Sequence, residues 1–209
     1  MDLKNDDKKM PVIFVGHGNP MNAIQQNSYT ESWKVIGETI RLPDEIICIS
    51  AHWETKGTYF TAMDKPETIH DFGGFPSELY EVEYPAQGNR KFAVTVANLL
   101  TKTNAELDTE WGLDHGCWSV LKHMYPKANI PVIQMSLDYR KDAAFHFQIA
   151  KDLASLRNKN VLIIGSGNMV HNLRLIDWQH TVTKGYDWAE KSLEKLKQLI
   201  MDDNFTELI

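Results

Sequence analysis

Histidine is the side chain whose protonation changes most readily near neutral pH, and three of the eight in this chain share one context. His17 follows the apolar run VIFVG, His52 follows EIICISA, and His171 follows VLIIGSGNMV. Each lies at or just beyond the C-terminal end of a predicted strand. In open α/β sheets the ligand crevice forms outside those ends, where loops from different strands converge. Neutral imidazole is the commonest metal ligand and suits zinc and iron alike, so convergence of the three would make a metal site. The glycines flanking His17 allow backbone and ligand to approach closely. A single histidine beside a strand is more often a hydrogen-bonded structural residue, and three in the same placement bring the joint case only to about even. No HExxH or CxxC pattern is present, so the spacings of a metalloprotease or zinc ribbon are absent.

Two further histidines stand in unusual company. His115, in WGLDHGCW, falls at a predicted helix N-terminus, where the helix dipole favours a neutral ring able to take a proton. The competing reading is a capping turn led by Asp114. His70, in TIHDFGGFP, has a carboxylate, two phenylalanines and a Gly-Gly pair beside it, which suits a loop closing on an aromatic ligand or a structural turn. His123, His146 and His180 read as surface or packing residues. GSGNMV lacks the GxGxxG spacing of dinucleotide binding, and Ser166 lacks the GxSxG setting of a hydrolase nucleophile. Cys117 reads as a buried, inert thiol.

The elements that must position these groups follow from the apolar pattern. Short β-branched runs alternate with longer amphipathic stretches, which predicts an α/β fold: a single domain with a central, mostly parallel or mixed sheet flanked by helices on both faces. Val12–Val15 reads as a short buried strand, Glu45–Ser50 as the clearest strand, and Tyr59–Ala62 as an edge or hairpin strand. Val132–Leu137 and Val161–Ile164 complete the set. Thr30 is the expected cap of a helix carrying Trp33, Ile36 and Ile40. Phe92, Val96, Leu99 and Leu100 predict a second helix, residues 115–124 a third, and Phe145, Ile149, Leu153 and Leu156 a fourth. Ala189, Leu193, Leu196 and Ile200 predict the last. Residues 64–88 show no period and carry three prolines and two glycines before Gly88, as expected of a functional loop or lid.

Composition narrows the function. The 209 residues carry 22 Lys+Arg against 28 Asp+Glu, a formal net charge of −6, so no basic excess is available to neutralise phosphates and nucleic-acid binding is not expected. No apolar run approaches a membrane span, and the opening MDLKNDDKKM is too polar for a signal peptide. Two cysteines make no disulfide scaffold, which points to the cytoplasm.

Taken in order, GHGNPMN, SAHW, TIHDFGGFP, WGLDHGCW and SGNMVHNL resemble the DOPA 4,5-dioxygenase (extradiol) family. That family belongs to the class III ring-cleaving dioxygenases, with the protocatechuate 4,5-dioxygenase catalytic subunit among its relatives. The resemblance runs from about Met10 to about Trp188. It implies one divalent metal ion per chain, Fe(II) for ring cleavage or Zn(II) as isolated, with His17, His52 and His171 as ligands. It implies His115 and His171 as catalytic histidines, and His70, Asp71 and Phe72 as a substrate-binding loop. The implied partners are a catecholic aromatic such as DOPA and O2. Family members run further past the last helix and carry a final ligand there, so the resemblance also implies a chain lacking its C-terminal part, which could self-associate as a homo-oligomer. Two rival readings use the same histidines: a zinc-dependent hydrolase-type enzyme, and a non-catalytic metal-binding relative.

Overall fold

The apolar runs assemble into one six-stranded sheet in the order β1-β6-β2-β5-β3-β4. Its strands are β1 (Val12–Val15), β2 (Glu45–Thr55), β3 (Tyr59–Thr61), β4 (Glu106–Asp108), β5 (Val132–Asp138) and β6 (Val161–Ser166). In this computed structural model residues 9–176 and 185–209 are described. His180 lies outside them. The described chain divides into a first unit ending at Gly167 and a second running from Asn168 to Ile209.

In the first unit β1, β6, β2 and β5 run parallel to one another. β3 pairs antiparallel to β5 and carries β4 parallel beside it. The sheet is therefore mixed, with a parallel half of four strands whose carboxyl ends share one rim. Parallel strands need long crossovers, and these are supplied by helices. They are α1 (Ser28–Thr39), the single turn α2 (Ser77–Tyr80), α3 (Arg90–Leu99), α4 (His115–Met124) and α5 (Ala143–Leu153).

Alternation along β2 sorts the core into two layers. Ile46 and Cys48 pack with Trp33 of α1 and with Trp118, Leu121 and Met124 of α4. Ile47 packs on the opposite face with Ala93 and Val96 of α3 and Ile149 and Leu153 of α5. Helices thus cover both faces, as the alternating pattern predicts.

Local details differ from the sequence reading for physical reasons. β1 is not a buried strand: among the described residues it ends the sheet, so Val12 and Phe14 are each 53% exposed while Val15 alone of the strand is buried. β3 is not an edge, because the short strand β4 flanks it; the three residues ELD are too few to show a period. The cap of α1 is Asn27, whose side chain accepts from the backbone N–H of Tyr29 and Thr30, while the Thr30 hydroxyl returns the bond to the Asn27 N–H. Thr30 thus occupies the third helical position of a capping box rather than the cap itself. β2 continues past Ser50 through a register irregularity between Ile49 and Glu54, and His52 sits inside the strand within that irregular stretch.

The second unit contains a short 3-10 turn at Leu173–Leu175, the helix α6 (Asp187–Met201) and the turn α7 (Phe205–Leu208). On α6 the buried position is Leu199, 6% exposed, and not Ile200. Lys195 and Glu207 join α6 to α7 with an ion pair of 2.5 Å. No helix among the described residues is long and apolar enough to cross a membrane.

Candidate metal centre and active site

The parallel half of the sheet sends its side chains to one rim. β1 ends at Val15, and His17 follows two residues on, ahead of a turn at Gly18 (φ +64°). Asn22 locks that turn by donating from Nδ2 to the His17 carbonyl at 3.0 Å. A side chain at Gly18 would both strain this backbone and come within 3.0 Å of that amide. His52 arrives on β2, and His115 is the first residue of α4, whose cap is Asp114.

These three imidazoles meet. His17 Nε2 and His52 Nε2 are 3.0 Å apart. The His52 and His115 ring centroids lie 4.0 Å apart, and those of His17 and His115 5.2 Å apart. Each ring offers a nitrogen within 4.8 Å of the others, a group that could hold a metal ion. The donor set fits one: two nitrogens on a common ion, each bonded at about 2.0–2.1 Å, are separated by about 2.9–3.4 Å for octahedral to tetrahedral angles.

Behind the rings stand groups that orient them. Asp71 accepts from the His115 backbone N–H at 2.8 Å and faces His115 Nδ1 at 3.0 Å and His52 Nδ1 at 3.4 Å. A carboxylate on the far side of a ligating imidazole is the usual support for metal-binding histidines. Burial works to raise the Asp71 carboxyl, but the hydrogen bonds and charge of His115 outweigh it and hold the group below its ordinary value, ionised. Deeper in, the fully buried Asp114 caps α4 through the Cys117 N–H and accepts from Gln134 Nε2 at 2.7 Å. Burial pushes its carboxyl up, against the pull of the Gln134 and Ser50 hydrogen bonds. Cys117 lies wholly in the core, and burial raises its thiol well above the ordinary value, which leaves it unreactive.

The 64–88 segment supplies an aromatic side to the site. Phe72 meets the His115 ring edge-on at 5.5 Å and packs with Phe75 and Tyr80, each 5.3 Å away. His70 stands one layer back: its Nε2 is 3.1 Å from the Val82 carbonyl, and its ring lies against Trp118 at 5.6 Å. His171 belongs to the second unit, ahead of the turn at Leu173. His123 and His146 serve packing on their helices, His123 through the Asn22 carbonyl at 2.8 Å and His146 through the Asp138 carbonyl at 3.3 Å.

Two residues at this site escaped the sequence reading. Ser166 ends β6 and touches His17 Nδ1 at 2.9 Å, a contact across the sheet with no local signal. Gly116 sits so close that a Cβ there would lie 2.6 Å from Ser50 Oγ and 3.1 Å from His52 Cδ2. The glycine after His115 was the available hint.

Fold and site together define an α/β protein whose three-histidine cluster, on the rim of a parallel half-sheet, could hold a metal ion. Comparison with known proteins identifies the family. Residues 10–209 match the family described as the catalytic LigB subunit of aromatic ring-opening dioxygenase, and the chain belongs to that family, which are oxidoreductases. A 4,5-DOPA dioxygenase extradiol of Escherichia coli K12 is 47% identical over 94% of this chain and 72% of its own length. One from Beta vulgaris is 39% identical over 81% of this chain and 65% of its own. A crystal structure of an uncharacterized protein from Escherichia coli K12 superposes with a TM-score of 0.78 at 42% identity, covering 91% of this chain and 72% of that one.

Proposed function

We propose that this chain acts as a metal-dependent extradiol dioxygenase, opening the ring of a catecholic substrate such as DOPA with O2. The observation that carries the reading is the pair of Nε2 atoms of His17 and His52 at 3.0 Å, with Asp71 behind His52 and His115. His17 and His52 are proposed as the ligands from the first unit. His171 is proposed as a further ligand or as an acid/base group, a role that rests on the resemblance of SGNMVHNL. When bound, Fe(II) would supply chelation of both catechol oxygens and redox activation of O2, whereas Zn(II) on the same nitrogens has no redox chemistry to offer.

The protein's own groups handle the protons. A catechol must lose protons to chelate, and His115 can accept one at Nε2 because Nδ1 faces Asp71. The carboxylate holds the ring in place and stabilises the imidazolium that results, so the proton can be returned later in the cycle. Phe72, edge-on to His115, would present an apolar surface to the substrate ring. Burial of His17 and His115 keeps water from their rings. Two free and buried thiols, Cys48 and Cys117, support a reducing cytoplasm as the setting.

Anaerobic loading with Fe(II), followed by DOPA and air, tests this. One O2 consumed per DOPA, with a new visible chromophore, is expected. Tight iron binding with no cleavage across a panel of catechols would contradict it.

A further inference from the structure

Ser166 is the last of the β6 residues that pair with both strands that deliver the first two histidines. β6 lies between β1 and β2, and its last residue is the register partner of Val15 on one side and Ser50 on the other. The side chain is buried, and it makes two contacts of different kinds. Its Oγ lies 2.5 Å from the Gly116 carbonyl oxygen and 2.9 Å from His17 Nδ1.

A carbonyl oxygen can only accept, so two oxygens at that distance require the hydroxyl proton to lie between them. A serine hydroxyl has one proton to give. Having given it to Gly116, Ser166 can only accept from His17, and Nδ1 must carry a hydrogen. The neutral His17 ring therefore keeps its lone pair on Nε2, the atom that faces His52. We infer that Ser166 is a positioning residue which sets the His17 tautomer and joins that ring to the first turn of α4, where His115 is held. Nothing in the local sequence signals this, because the acceptor that commits the hydroxyl belongs to another element.

The consequence is for binding of a metal ion. A ring held as the Nδ1–H tautomer presents a ready lone pair, while a ring free to hold its proton on Nε2 must first give it up. This consequence rests on the reading of His17 as a ligand; the tautomer assignment rests on the hydrogen bonds alone. The two can therefore fail separately.

The test uses the full chain labelled with 15N on histidine. Long-range 15N–1H spectra of the metal-free protein are expected to show His17 protonated on Nδ1, and Ser166→Ala is expected to shift it toward a mixture of tautomers. Zinc titration of the same two proteins is expected to show affinity lower by about 10- to 100-fold in the variant, with an unchanged circular dichroism spectrum. A wild-type His17 protonated on Nε2 overturns the inference, and this holds even if Ser166→Ala fails to fold. A folded Ser166→Ala with wild-type tautomer and wild-type zinc affinity overturns it as well. Loss of the tautomer preference without any change in zinc affinity would retain Ser166 as the tautomer-setting group and overturn its part in metal binding.

Discussion

At the residue scale, the orientation of three imidazoles depends on groups that touch them from behind. Asp71 is the clearest case, since one carboxylate faces both His115 Nδ1 and His52 Nδ1. Asp71→Asn keeps the shape and removes the charge. Its amide can still accept from the His115 backbone N–H through its oxygen, but the NH2 group then faces the two Nδ1 atoms as a donor. Both rings are driven to carry their protons on Nε2, where an ion or a substrate proton needs a lone pair. The expected outcome is metal affinity lower by about 10- to 100-fold with a lower thermal midpoint and the fold retained, measured by zinc titration and calorimetry. An affinity equal to wild type would show that the carboxylate does not orient the rings. His17 and His52, like His171, stood out in the sequence because they follow predicted strand ends, and His115 because it falls at a predicted helix N-terminus. Ser166 did not, because its role depends on a carbonyl that only folding brings near.

At the element scale, the site depends on the first turn of α4 passing close under β2. Gly116 makes this possible: a Cβ there would lie 2.6 Å from Ser50 Oγ and 3.2 Å from Asp114 Oδ1. Neither neighbour can easily withdraw, since both are fully buried and Asp114 is held by Gln134. Gly116→Ala should therefore destabilise by about 1–3 kcal/mol in urea unfolding, the usual cost of overpacking, and weaken metal binding by displacing His52 or His115. A fully stable variant with normal binding would mean the contact is looser than it looks. Strands β2, β5 and β6 were legible as apolar runs because both their faces are buried. The exposure of β1 was not, since it follows from strand order, and a single strand's own sequence carries no record of which neighbour it lacks. The true cap of α1 was missed for a related reason. Asn27 and Thr30 are both good capping types, and the choice between them is made by the backbone on either side.

At the scale of the whole molecule, the acidic balance and the charge pairs set the response to pH. Asp138 is buried and gripped by Arg140, whose Nε and Nη2 lie 3.0 Å and 2.9 Å from its two oxygens. The side-chain hydrogen bonds from Arg140 lower its carboxyl to about 2. A carboxyl lowered in the folded state contributes stability that is complete above its unfolded value, near about 4, and is lost as pH falls toward about 2. Arg140→Ala should thus be less stable than wild type at neutral pH, with the gap narrowing below about pH 4. The gap is expected to be small, because the arginine side chain is 45% exposed and screened by solvent. Urea midpoints across pH 7 to 3 measure it, and a gap that widens on acidification would reverse the assignment.

The measurement that bears most directly on the central claim is metal binding by the intact chain compared with its His52→Ala variant, by Fe(II) or Zn(II) titration under anaerobic conditions. One ion bound per wild-type chain and affinity at least about tenfold lower in His52→Ala, with the fold retained, is the result predicted. Equal binding by the two proteins would show that the His17 and His52 pair is not the metal centre.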